Sequence, residues 1–185
     1  MIAVRDWRAG WRQVGAQLRP PSIPGAALAA LVPCALGATL LWPPRPLLLW
    51  NASPSSPVGL YVVRPVGDPR VGDVVVAFAL LPARRLAAAR GYLPFAVPLV
   101  KSVAAASGDI VCARGTKVRI NGRVAAVRRG RDPAGRPMPG WFGCRRLGRN
   151  DFLLLSTSPL AFDGRYFGIS KTADAIGTAR LLWRR

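Results

Sequence analysis

The sequence predicts a mainly β domain preceded by one N-terminal transmembrane helix. An uncharged stretch rich in Ala and Leu runs from 25 to 42, and beyond it short β-branched segments recur between Gly, Pro and Asn turns. Outside the apolar stretch, only residues 82–90 have helix-forming composition. A chain of 185 residues has room for one sizeable core and an anchor; two full domains plus an apolar segment would be crowded.

In chain order, residues 1–24 read as a basic N-terminus, with Arg5, Arg8, Arg12 and Arg19 set against Asp6 alone, which the positive-inside rule keeps cytoplasmic. Residues 25–42 lie near the lower length limit for a span. A membrane anchor is the leading reading, with a cleavable signal peptide and a buried core helix as alternatives. Pro33 does not exclude a span, because neighbouring groups in a membrane satisfy the carbonyl that proline frees. The run Pro-Pro-Arg-Pro after Trp42 ends any helix, so 43–50 reads as an interfacial linker bracketed by Trp42 and Trp50. Residues 51–185 then form an extracytoplasmic β-rich domain.

Within it, strands are expected at 60–64, 73–80, 99–105, 110–114, 117–120, 123–127, 152–156 and 175–182. Asn121-Gly122 is a strong hairpin signal. From 128 to 149 the chain turns rich in Gly, Pro and Arg, the composition of a loop or extended excursion.

Twenty-seven Lys and Arg against 8 Asp and Glu give a formal charge of +19. The arginines are spread along the chain rather than clustered with aromatics, so an anionic lipid surface suits them and no nucleic-acid partner is expected. Cys112 and Cys144 flank the excursion and are the natural disulfide pair if the domain faces an oxidising compartment; a pair of free buried cysteines is the alternative. Cys34 falls in the apolar stretch and is expected to stay unpaired. With no histidine and so few thiols, a closed zinc shell has too few ligands, and no metal or other cofactor is expected.

The absence of histidine also excludes a Ser/His/Asp triad and a Cys/His dyad. An activated serine needs another base, and among cations only lysine can be made neutral by desolvation. Lys117 and Lys171 sit in polar turns, whereas Lys101 stands in the apolar run Phe-Ala-Val-Pro-Leu-Val-Lys-Ser-Val-Ala-Ala-Ala. Burial there would lower its pKa from the ordinary value of about 10.4 toward the working pH; the alternative is that its amine snorkels to solvent, as a lysine in such a strand usually does. The serines lie in Asn51-Ala-Ser-Pro-Ser-Ser-Pro-Val-Gly-Leu-Tyr61, just after the apolar segment.

Ser55-Ser-Pro-Val-Gly-Leu-Tyr61, Gly72-Asp-Val-Val-Val76, Val100-Lys-Ser-Val103 with Gly108-Asp109, and Phe162-Asp-Gly-Arg-Tyr-Phe-Gly168 stand in the order of the signal peptidase I motifs. Across nearly its whole length the chain resembles that family, most of all the conjugative-transfer branch of TraF-type pilin-maturation peptidases. The resemblance implies a signal-peptidase-like β-rich catalytic domain with Ser55 as nucleophile and Lys101 as general base. It puts the Ser53 hydroxyl and the Ser55 backbone N–H at the oxyanion, and makes Asp163 and Arg165 a supporting ion pair. Ser56 is the competing serine. Many relatives carry a serine against the lysine where this chain has Ala161, so Lys101 must be oriented by Ser102, Ser156 or Ser158, or by packing.

The function so implied is a single-pass peptidase of the bacterial inner membrane, active on the periplasmic side. It would cut signal or leader peptides or C-terminal segments from exported precursors, with a conjugative prepilin as the expected substrate and cyclisation of the product as one outcome. A housekeeping signal peptidase and a non-enzymatic membrane-anchored envelope scaffold are the competing readings.

Overall fold

The computed structural model describes residues 47–185, together with helical residues 29–31, 33–35 and 37–38. The chain divides into two compact units, Met1–Arg45 and Pro46–Arg185. The basic segment 1–24 and much of the expected anchor at 25–42 lie outside the described residues. Among the described residues no helix is long and apolar enough to cross a membrane, and Cys34 carries a free, exposed thiol.

The second unit is mainly β, as expected. Its strands are β1 (Leu48–Asn51), β2 (Gly59–Arg64), β3 (Val74–Ala77), β4 (Leu99–Ala105), β5 (Ile110–Arg114), β6 (Lys117–Ile120), β7 (Arg123–Val127), β8 (Gly143–Arg146), β9 (Asp151–Leu155), β10 (Ser170–Lys171) and β11 (Ala175–Arg184). A seven-stranded sheet runs β1-β2-β11-β3-β4-β9-β10 and a four-stranded sheet runs β7-β6-β5-β8, all pairs antiparallel. Ala105, Leu153 and Leu155 of the larger sheet share one buried cluster with Val111, Ala113, Val118 and Ala126 of the smaller, so the core ties the two together.

Helix α1 (Leu81–Ala89) begins with Pro82 in its first turn, where a missing N–H costs nothing, and buries Ala83 and Ala87, four residues apart on one face. Its Ala83 packs with Ala79 and Leu99, covering the start of β4. The Asn-Gly pair closes the β6–β7 hairpin with both residues at positive φ, 50° and 81°, which the twist of the flanking strands requires.

Two expectations change. The stretch read as an interfacial linker ends in β1, because Leu48 to Asn51 pair in register with Val62 to Gly59. The excursion after β7 ends in β8, a strand exposed along its length. There Cys144 stands directly opposite Cys112 of β5, and the two form a disulfide spanning 32 residues of sequence. Cross-linking a loop of that length is worth about 3–4 kcal/mol through the entropy of the unfolded chain. Reduction, or the pair Cys112→Ser/Cys144→Ser, should therefore lower the thermal midpoint by several degrees, read by circular dichroism with and without reductant.

Candidate active site

The serine cluster occupies the β1–β2 hairpin loop, and Asn51 shapes it. Buried at the end of β1, Asn51 donates from Nδ2 to the carbonyls of Ser53, Ser56 and Pro57 at 3.0, 3.2 and 3.0 Å, and its Oδ1 accepts the Ser53 N–H at 3.1 Å. Satisfying those otherwise stranded carbonyls fixes the loop's path. Tyr61 adds a bond from its hydroxyl to the Pro57 carbonyl at 2.7 Å. The glycine in Pro-Val-Gly-Leu-Tyr has a steric reason, since a Cβ on Gly59 would stand 2.1 Å from the Trp183 carbonyl oxygen of β11.

Two bonds bring the loop over the central strands. The buried Ser56 hydroxyl donates to the Val100 carbonyl of β4 at 2.8 Å, and the Ser156 hydroxyl, just past β9, donates to the Ser55 carbonyl at 2.6 Å. Neighbouring serines thus end in different situations. Ser56 is committed to the backbone beside Lys101, while half-buried Ser55 lines a cavity of about 610 Å³ and, among the described residues, its hydroxyl bonds only to that of Ser53, at 2.9 Å.

Lys101 lines the same cavity from the middle of β4, between β3 and β9. It is only 3% exposed. No hydrogen bond joins its amine to another group among the described residues. Burial pulls its pKa down to about 8; Asp163 works against that shift, and Arg165 adds to it. At pH 7 roughly a tenth of such lysines are neutral, against one in a few thousand for a solvated one.

Asp163 and Arg165 form a buried ion pair, with Arg165 Nε and a second guanidinium nitrogen 2.8 and 2.9 Å from the two carboxylate oxygens. Asp163 also accepts the N–H groups of Arg165 at 3.0 Å and Ser156 at 2.8 Å, and Arg165 donates to the Ser156 carbonyl at 2.7 Å. The pair holds Ser156, whose hydroxyl in turn holds the Ser55 carbonyl. Asp163 caps a one-turn helix, α2 (Gly164–Phe167). Gly164 is required because a Cβ there would approach the Leu154 carbonyl oxygen of β9 to 2.6 Å.

Of the three serines considered for orienting Lys101, Ser102 is exposed on the opposite face of β4 and Ser156 is committed to Ser55. Ser158 lines the cavity with Lys101, as does Ala161, the position that lacks the hydroxyl of many relatives. The Ser53 hydroxyl sits 3.4 Å from the Ser55 N–H. The two groups therefore bond to each other within the loop, and the hydroxyl must rotate away to meet a third atom. The sequence reading missed Asn51 as an organiser, although its placement just before the serine cluster was visible, and missed the wall made by the excursion after β7, where Arg129, Arg131 and Met138 line the cavity.

The family model for signal peptidase, peptidase S26, matches residues 23–184. The chain belongs to this family. It is thus a peptidase by family, and the signal peptidase match runs through both the serine loop and the Asp163–Arg165 pair. Two curated relatives, both plasmid transfer protein TraF from Escherichia coli, are 38% identical over 93 residues and 33% identical over 130 residues. The first alignment covers 46% of this chain and 51% of the relative, the second 64% and 72%. The chain therefore spans about half the length of the first of them. A signal peptidase I from Enterococcus faecalis is similar over 61% of this chain and 97% of its own, at 17% identity and a TM-score of 0.35.

Proposed function

We propose that the chain is a membrane-anchored serine endopeptidase that uses a Ser55/Lys101 dyad to process exported precursor proteins on the outer side of a bacterial inner membrane, with a conjugative prepilin as substrate. The observation that carries the reading is that a half-buried serine and a desolvated lysine line the same cavity, in a chain without histidine. The likeness to two plasmid transfer proteins supports the prepilin. Exposed Leu48 and Trp50 on β1, with Leu182 and Trp183 on β11, support a lipid surface beside the serine loop; the rings of Trp50 and Trp183 lie 5.8 Å apart.

In the reaction, neutral Lys101 accepts the Ser55 proton as the serine oxygen attacks the scissile carbonyl. The Ser53 hydroxyl, rotated from Ser55, and the Ser55 N–H donate to the oxyanion, where each preorganised donor is worth about a hundredfold in rate. The lysine ammonium then returns its proton to the leaving amine, leaving an ester on Ser55. Water attacking that ester gives a linear product, and the substrate's own amine gives a cyclic one.

The test is processing of a tagged prepilin in membranes carrying wild-type protein, Ser55→Ala or Ser56→Ala, with product masses read by mass spectrometry. Ser55→Ala should reduce processing to background. Ser56→Ala should retain it and lose about 1 kcal/mol of stability with the Val100 bond. A product lighter than the linear chain by one water identifies cyclisation. Equal processing by all three proteins would sink the dyad and leave a scaffold as the better reading.

A further inference from the structure

The Gly-, Pro- and Arg-rich excursion contributes Arg129, Arg131, Asp132, Pro133 and Met138 to the lining of the cavity, and its construction is specific. Buried Asp132 accepts the Arg136 N–H at 2.8 Å and Arg136 Nε at 2.7 Å, takes a short hydrogen bond from the Tyr92 hydroxyl, and lies 3.8 Å from Arg90. Arg90 also donates to the Pro137 carbonyl at 2.9 Å, and the Met138 N–H to the Gly130 carbonyl at 2.9 Å, so the segment is closed on itself and tied to the end of α1. Burial works against the Asp132 carboxylate, but its bonds from Tyr92 and Arg136 outweigh burial and hold its pKa near 2, so it stays ionised. Its charge is spent on Arg136 and Arg90.

Arg129 and Arg131, just before Asp132 in the chain, are exposed and line the cavity. Arg129 enters no side-chain hydrogen bond among the described residues, and Arg131 gives one nitrogen to the Gly135 carbonyl at 2.6 Å. The lining residues include a single acid, Asp132, which is already matched. Leu49, Val97, Met138, Leu160 and Phe162 supply apolar surface to the same cavity. One guanidinium without a side-chain partner among the described residues and a second with Nε and Nη2 still uncommitted, in a cavity with apolar lining, form the chemical complement of a carboxylate, because a guanidinium can bind both carboxylate oxygens and apolar surroundings strengthen the bond.

We infer that Arg129 and Arg131 form a carboxylate-binding subsite that selects a precursor segment bearing an acidic side chain or a free C-terminus in the cavity that Ser55 also lines. The identity of the occupant as substrate rests on the peptidase reading, but the binding itself does not require Ser55 to react.

The test uses the full chain in neutral detergent carrying Ser55→Ala, with binding of labelled Ala-rich peptides read by fluorescence anisotropy. Peptides come in pairs, Glu against Gln at one position, and free acid against amide at the C-terminus. The acidic member of at least one pair should bind about tenfold more tightly. Arg129→Gln/Arg131→Gln should erase that preference and leave binding of the neutral member unchanged, whereas Arg114→Gln/Arg149→Gln, which removes the same charge from exposed positions elsewhere, should preserve it. Which pair discriminates identifies the source of the carboxylate. Equal binding within both pairs overturns the subsite, as does a preference that survives Arg129→Gln/Arg131→Gln or is equally lost in Arg114→Gln/Arg149→Gln. Failure of the dyad would appear as processing by Ser55→Ala and would leave these binding results intact.

Discussion

Lys101→Met will abolish precursor processing and, at pH 7, raise the thermal stability of the protein. Both effects come from the same buried amine. Its pKa in the folded chain is about 8 against an unfolded value of 10.5, so the fold disfavours the ammonium by about 3 kcal/mol. Below pH 8 the folded and unfolded chains both hold the proton, and the whole penalty acts on the fold. Between pH 8 and 10.5 the unfolded chain still holds a proton that the folded chain has released, so stability rises with pH; above that window the penalty is gone. Methionine fills the space without the charge, and its advantage of up to about 3 kcal/mol should vanish across the same window. Melting both proteins from pH 7 to pH 10.5 reads the difference directly. Wild-type processing should rise with pH through about 8, because only neutral lysine accepts the serine proton. A methionine variant less stable than wild type at pH 7, or a rate flat through pH 8, would mean that the amine is solvated and is not the base.

The prominence of Lys101 could be read from the chain because its run of apolar neighbours is a local signal, but that run by itself leaves a lysine free to snorkel to solvent, and burial was expected on the strength of the family resemblance. The strands β2, β4, β5, β6 and β7 were legible for a related reason: β-branched residues lay between Gly, Pro and Asn turns. β1 was hidden because Leu47-Leu-Leu-Trp50 continues the apolar composition of the segment before it, and nothing in its pattern separates a sheet edge from a membrane collar. β8, Gly143–Arg146, has no apolar alternation to read, being paired to β5 through backbone and the disulfide. The bonds that assemble the site were the least accessible. Ser56 to the Val100 carbonyl and Ser156 to the Ser55 carbonyl end on backbone atoms, which every residue supplies, so no residue type marks the partner. The distinction between Ser55 and Ser56 depends on those bonds.

Asp163→Asn and Arg165→Met will each destabilise the protein by about 3–5 kcal/mol, yet will move the pH midpoint of processing in opposite directions. Each variant leaves one member of a buried ion pair without its counter-charge, and Asp163 is 0% and Arg165 3% exposed, so water cannot compensate. In a domain of this size that corresponds to a drop of roughly 10 °C in Tm. The charge of Asp163 raises the Lys101 pKa and that of Arg165 lowers it. Removing the carboxylate should therefore shift the midpoint below about 8, and removing the guanidinium should shift it above. The maximal rate should fall in both, because the Ser156 N–H loses its charged acceptor in one variant and the Ser156 carbonyl loses its guanidinium donor in the other, and Ser156 holds the Ser55 carbonyl. Combining Asp163→Asn with Arg165→Met removes both charges together, and its stability loss should be well below the sum of the single losses. A purely structural pair would lower Tm and leave the midpoint in place. Midpoints that stay fixed, or move the same way in both folded variants, would separate this pair electrostatically from Lys101.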